Sequence, residues 1–256
     1  MLKQRKTEWL KVTKKDFEGY YRKQFDAPYR STVAFCAWLE TLGLLGPRSA
    51  SRVADVGAGL GGNIHYMAKR YPRSTFTGLE LNAELVKLGN GCFAEAGLKN
   101  AVLERHDLYK MRAKSPRFDG LVSYQTLSWL PDHNAALRRM MGLGPSWIAL
   151  TSLFYDGPVD CRIQTRDYTA GKTAGVCKDA YYNVYSQPQV QDLLRAGGYS
   201  RFMSAPFEID IDLPRPADRG MGTYTERLRD GRRLQISGPV LMSWRFIAAV
   251  KPGRGS

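Results

Sequence analysis

The segment Val53-Ala54-Asp55-Val56-Gly57-Ala58-Gly59-Leu60-Gly61-Gly62-Asn63 holds the residues of this chain best suited to binding chemistry. A short apolar run passes into glycines and then into a stretch of helical spacing, so the glycines fall where a first strand turns into a first helix. At such a turn the absent side chains let the backbone approach a ligand, and the N-terminus of the helix faces it. Gly57, Gly59 and Gly62 also satisfy G-x-G-x-x-G, so the glycines alone admit a nicotinamide or flavin dinucleotide.

Acids at the ends of the next expected strands narrow the choice. Asp55 stands two residues before the first glycine, where its carboxylate repels a pyrophosphate but attracts cationic amino and sulfonium groups such as those of S-adenosylmethionine. Glu80, in Gly78-Leu79-Glu80-Leu81-Asn82, is placed to accept hydrogen bonds from both ribose hydroxyls, a use common to both ligand classes. Asp107, in His106-Asp107-Leu108, is placed to reach an adenine amine. The competing use of each acid is a cap or turn that satisfies local N–H groups.

These residues need a scaffold, and the pattern around them supplies one. Strand-like stretches at 53–56, 74–79, 102–105, 118–124 and 147–153 alternate with helical stretches at 63–70, 83–96 and 133–141. Alternation of this kind predicts a mainly parallel sheet covered on both faces. Before it, Trp9, Phe17, Tyr20 and Tyr21, then Phe35, Trp38, Leu39 and Leu42, recur at helical spacing and end at Gly43 and Gly46-Pro47. After it, 155–185 is polar, glycine-bearing and rich in tyrosine, and reads as a long insertion. A helix at 188–196, a strand at 201–211, a Pro- and Arg-rich connection at 214–235 and a strand at 240–250 close the chain. The expected organisation is a single domain over 1–256: a helical preface (1–50), a cofactor-binding core (51–154), a lid insertion (155–185) and a C-terminal helix with closing strands (186–256).

Taken together, Asp55-Val56-Gly57-Ala58-Gly59-Leu60-Gly61, Glu80, His106-Asp107, Phe118-Asp119-Gly120-Leu121-Val122-Ser123 and Leu130-Pro131-Asp132 resemble the class I S-adenosylmethionine-dependent methyltransferase family, over about residues 50 to 155 and more loosely to 250. The resemblance implies an α/β, Rossmann-like sheet of seven strands with a reversed last strand. It places Gly57, Gly59 and Gly61 beside the methionine portion of the cofactor, Glu80 on the ribose and Asp107 on the adenine. Asn63, Leu81, Leu108, Tyr124 and, from the preface, Tyr20 complete the expected cofactor set, with Phe17 to Tyr21 closing over it.

Methyl transfer from a sulfonium is an in-line displacement with a good leaving group, so positioning and desolvation supply much of the catalysis. A hydroxyl acceptor gains from a general base. His133 is the first candidate, although it also fits the first turn of a helix capped by Asp132; Tyr155 and Asp156 follow, with Tyr182 and Tyr185 behind them. Relatives in this family carry histidines just before Leu-Pro-Asp, where this chain has Ser128 and Trp129. The position after the fourth strand reads Ser123-Tyr124-Gln125-Thr126, without the Asn/Asp-Pro-Pro-aromatic motif of amino-methylating enzymes and without a cysteine for cytosine methylation. No metal site is expected.

Composition bounds the partners. With 256 residues, 43% hydrophobic, 25 Gly and 13 Pro, the chain is neither disordered nor collagen-like. Its four cysteines, Cys36, Cys92, Cys161 and Cys177, form no C-x-x-C pair, which removes zinc knuckles and a disulfide framework and fits a reducing cytoplasm. No apolar run reaches the roughly 18 residues of a membrane span. The net charge of +14 sits at the ends, +5 over residues 1 to 31 and +6 over 214 to 256. The expected partner is therefore a small-molecule or saccharide acceptor, possible anionic character being read from Arg215, Arg219, Arg227, Arg229, Arg232 and Arg233. A nucleic-acid methyltransferase or RNA-binding module using the basic ends is the rival, and a dinucleotide oxidoreductase the other.

Overall fold

The computed structural model describes residues 22–111, 118–167, 178–217, 222–238, 240 and 244–253. The expected preface aromatics Trp9, Phe17, Tyr20 and Tyr21 lie outside the described residues. So do Cys177 and Arg219.

A seven-stranded sheet forms the centre, in the order β10-β13-β5-β4-β1-β2-β3. Its strands are β1 (Arg52–Val56), β2 (Thr75–Glu80), β3 (Ala101–Arg105), β4 (Gly120–Tyr124), β5 (Trp147–Ser152), β10 (Arg201–Phe207) and β13 (Trp244–Val250). β1 pairs in parallel with β2 and β4, β2 with β3, and β4 with β5. β13 runs antiparallel to both β5 and β10, so the last strand is the reversed one.

Because β side chains alternate faces, each strand feeds two cores. Val53, Val122, Ala149 and Ala248 point to one face and pack with Phe35, Ile64 and Met67. Ala54, Leu121, Ile148 and Ile247 point to the other and pack with Leu137, Met140 and Val190. Burying each large apolar side chain contributes about 1.5–3 kcal/mol, and this two-sided burial is what holds a parallel sheet.

The first face is covered by α1 (Lys23–Asp26), α2 (Arg30–Thr41), α3 (Gly62–Arg70) and α4 (Ala83–Glu95). The second is covered by α5 (His133–Gly142) and α6 (Gln187–Ala196). Polar side chains start several of these helices: Asn82 Oδ1 accepts from the Glu84 and Leu85 N–H groups, Asp132 from Ala135, and Ser186 from Gln189. Such caps contribute about 1 kcal/mol each.

Three expectations change. The strand expected to reach residue 211 ends at Phe207, where an exposed segment begins that places Asp210 on Arg30 of α2 at 2.8 Å. The connection expected at 214–235 contains a hairpin, β11 (Thr223–Arg227) with β12 (Arg233–Ser237). Four of its arginines are paired with acids: Arg227 and Arg233 both reach Asp212 at 2.7 Å, Arg232 reaches Asp230 at 2.7 Å, and Arg215 lies 3.7 Å from Glu226. The insertion, expected at 155–185 as a lid, contains a second hairpin of β7 (Gln164–Asp167) and β8 (Lys178–Tyr181), flanked by short strands β6 (Phe154–Tyr155) and β9 (Tyr185–Ser186). Among the described residues no helix is long and apolar enough to cross a membrane.

Candidate cofactor site at the strand tips

The carboxyl ends of β1, β2, β3 and β4 converge, tied by backbone bonds that continue just past each strand. Gly57 N–H donates to the Leu79 carbonyl at 2.9 Å, and His106 N–H to the Glu80 carbonyl at 2.7 Å. Gln125 N–H donates to the Thr151 carbonyl at 2.7 Å. These bonds bring Asp55, the glycine loop, Glu80 and Asp107 to one edge of the sheet.

The loop has a conformation that only glycine adopts without strain. Gly57, Gly59 and Gly61 have φ of +77°, +57° and +87°. Space is also limiting at Gly57, where a Cβ would stand 2.5 Å from Thr126 Oγ1, and at Gly61, where it would stand 2.5 Å from the Phe93 ring. Gly57 itself is exposed, so its backbone is open to a ligand.

Glu80 is fixed in place. One carboxylate oxygen accepts from Gly59 N–H and the other from Asn82 N–H, each at 2.9 Å. Burial raises its pKa, and these N–H groups oppose the rise. Each oxygen keeps a lone pair for a further donor.

Asp55 is held differently. It is 1% exposed, and neither carboxylate oxygen has a hydrogen-bond partner. Burial pushes its pKa up to about 8, and the Glu80 charge adds to the effect. An orphaned buried carboxyl beside a loop stripped of side chains fits a ligand that brings positive charge and donors to it. The residues present therefore fit S-adenosylmethionine better than a pyrophosphate.

The other expected cofactor residues divide. Asp107 caps the turn after β3 by accepting from Tyr109 N–H at 3.1 Å, and Lys110 approaches its other oxygen at 3.4 Å. Leu81 and Leu108 are half-buried beside Glu80 and Asp107. Asn63 Oδ1 accepts from the Thr32 hydroxyl at 2.6 Å, which ties α2 to the start of α3. Tyr124 lies on the Asp55 face but points its hydroxyl at sulfur, 3.7 Å from Cys36 Sγ and 3.8 Å from Met67 Sδ. Tyr20 lies outside the described residues.

The expected acceptor-activating residues do not gather with these groups. His133 opens α5 and is 3% exposed; its ring lies 4.0 Å from the Tyr185 ring, Nε2 has no partner, and burial lowers its pKa. Tyr185 belongs to the core on the sheet face opposite Asp55, which places His133 behind the sheet. Tyr155 and Asp156 are exposed beyond β5. His65 packs on the Phe25 ring at 4.9 Å, His106 pairs with Glu104 at 3.1 Å, and Trp129 stands edge-on to Tyr182. Among the described residues no group of His, Cys, Asp or Glu forms a metal cluster.

Two positioning features were missed by sequence reasoning. Gln125, directly after β4, has φ of +50°, a left-handed conformation unusual for a side-chain-bearing residue. Asn183 is fully buried and joins the insertion to the loop after β4: its N–H donates to the Ser128 carbonyl at 2.7 Å, its Nδ2 to the Leu130 carbonyl and the Tyr185 hydroxyl at 2.9 Å, and its Oδ1 accepts from Ile163 N–H at 2.9 Å. No one-dimensional pattern marks a backbone angle, and an Asn in a tyrosine-rich segment reads as surface.

Comparison with known proteins agrees with this geometry. A family model described as a methyltransferase domain matches residues 53–143. The trans-aconitate 2-methyltransferase of Deinococcus radiodurans is 34% identical over 100 residues, 38% of this chain and 35% of that protein. The chain spans about two fifths of the length of the curated relatives it matches. Among solved structures, the YcgJ protein of Bacillus subtilis superposes with a TM-score of 0.56 at 14% identity, covering 88% of this chain and all of that one. The magnesium protoporphyrin IX methyltransferase of Synechocystis PCC 6803, solved with bound S-adenosylmethionine, gives 0.52 at 15% identity over 87% of this chain and 79% of that one. Residues 53–143 thus match a methyltransferase domain, and the seven-stranded sheet has the fold of these solved structures.

Proposed function

We propose that the chain transfers a methyl group from S-adenosylmethionine to an oxygen of a small anionic acceptor, a carboxylate or an acidic saccharide. The observation that carries the cofactor half is the orphaned, fully buried Asp55 beside the glycine loop. S-adenosylmethionine, when bound, supplies an electrophilic methyl on a positively charged sulfur. Asp55 would face its cationic end, the backbone of Gly57, Gly59 and Gly61 would line its methionine portion, Glu80 would accept from the ribose and Asp107 from the adenine.

The acceptor half rests on the base that the site does not display. A carboxylate oxygen is already deprotonated at neutral pH and needs no general base, which suits a site where His133 is buried against Tyr185, His65 packs on Phe25 and His106 pairs with Glu104. Tyr155 and Asp156 are the second choice for a hydroxyl acceptor, since they are exposed at the end of β5. The name of the matched relatives, trans-aconitate 2-methyltransferase, supports a carboxylate acceptor. Arg227 and Arg233 of the β11–β12 hairpin are paired with Asp212 and exposed, so an anionic acceptor would have to exchange with those pairs.

The test is transfer of a labelled methyl group to a panel of small carboxylates, acidic sugars, neutral sugars and tRNA. Label in base-labile esters of carboxylates is the expected result. Label in tRNA alone overturns the acceptor half and leaves the cofactor half standing.

A further inference from the structure

Asp55 and Glu80 sit on one face of adjacent parallel strands. Asp55 pairs in register with Gly78, so Glu80, two residues further on, lies on the same side. Gly78 leaves no side chain opposite Asp55, and a Cβ there would press on Leu103, Ile64 and Ala58 at 2.2, 2.6 and 2.7 Å. Two carboxyls thus share a tightly floored corner, and the N–H groups that hold Glu80 do nothing for Asp55.

The other groups facing Asp55 do not offset a negative charge. From β4 comes the Tyr124 phenol, backed by the Cys36 thiol of α2 and by Tyr71 after α3. All three titrate above neutrality through burial, Cys36 at about 11. Arg70 of α3 is committed to Glu40 at 2.6 Å, and His65 of α3 lies against Phe25. A buried carboxylate without a hydrogen bond or counter-charge costs several kcal/mol, and such a group holds its proton instead.

We infer that Asp55 is a neutral acid in the free protein and that entry of the positively charged cofactor displaces its proton, so that Asp55 selects ligand charge by titration as well as by contact. This deepens, and rests on, the cofactor reading above. In the step the carboxyl O–H bond breaks, the proton passes to buffer, and the carboxylate left behind faces the incoming ammonium and sulfonium. Charge in the corner is thereby balanced at both stages. Affinity must then rise with pH while Asp55 remains protonated in the free protein, by tenfold per unit for one displaced proton.

Calorimetric titration with S-adenosylmethionine at pH 7 in two buffers of different ionisation heat reads the displaced proton directly, without any turnover. The expected result is release of about one proton per site, with binding about tenfold weaker at pH 6. The Asp55→Asn variant, its fold checked by circular dichroism, releases none. Saturable binding with the same heat in both buffers overturns the inference and leaves the cofactor reading intact. Proton release that persists in Asp55→Asn also overturns it, because another group is then the source. Absence of binding at either pH removes the cofactor reading and the inference together.

Discussion

Glu80 accepts two backbone hydrogen bonds at 2.9 Å, while Asp55, on the same face of the next strand, accepts none. The two carboxyls differ in task for that reason. Glu80 shapes the glycine loop from below and keeps spare acceptor capacity, whereas Asp55 waits for a partner that the fold does not supply.

Stability should depend on pH through Asp55. Asp55 has a native pKa of about 8 against an ordinary value of 3.8. Between those values the native protein holds a proton that the unfolded chain has lost, so stability falls as pH rises through that window. Asp55→Asn removes the dependence. Its melting temperature should match wild type near pH 4 and exceed it at pH 8, by an amount on the order of a few kcal/mol in stability. Thermal melts of both proteins across that range check this, and parallel curves would count against a raised Asp55.

Glu80→Gln should damage the site more than the fold. The amide keeps one acceptor oxygen but turns an NH2 toward either Gly59 or Asn82 N–H, leaving a donor facing a donor. A cost of about 1–3 kcal/mol in stability is expected, with S-adenosylmethionine bound at least tenfold more weakly. Titration and urea unfolding of the same variant separate the two effects.

Gly57→Ala meets both a φ of +77° and the Thr126 side chain at 2.5 Å. Strain and overlap together should cost about 1–3 kcal/mol. Adding Thr126→Ala relieves the overlap but not the backbone strain, so the double variant should be more stable than the two single losses would sum to. Additive losses in a double-mutant cycle would show that Thr126 does not crowd this position.

Asn183→Ala breaks the polar joint between the insertion and the loop after β4. Several buried groups, including Ile163 N–H and the Leu130 carbonyl, lose a partner, at a cost of about 2–4 kcal/mol. Limited proteolysis should cut faster between residues 155 and 185, while cofactor affinity stays within about twofold, since the hydrogen bonds of Asn183 go to Ser128, Leu130, Ile163 and Tyr185 and not to the glycine loop or its acids. Equal loss of protection throughout the chain would instead make Asn183 a general core residue.

Much of the core was legible because periodicity and strand-end acids report the same fact from two directions. The alternation from residue 53 to 153 gave the parallel strands to within a residue or two, and Asp55, Glu80 and Asp107 fell on their ends. Of the two readings His133 allows in sequence, a ligand-facing base or a residue in the first turn of a helix capped by Asp132, the structure has the second feature: Asp132 caps that turn and the His133 ring lies against Tyr185. Arg227 and Arg233 looked available because their partner, Asp212, approaches only when the β11–β12 hairpin folds back. Gln125 carries its significance in a backbone angle, which residue type does not encode.

Calorimetric titration of the protein with S-adenosylmethionine, S-adenosylhomocysteine and NADH decides the cofactor class. Saturable binding of both adenosyl ligands and none of NADH is expected. Binding of NADH alone, or of none of the three, would contradict S-adenosylmethionine as the cofactor.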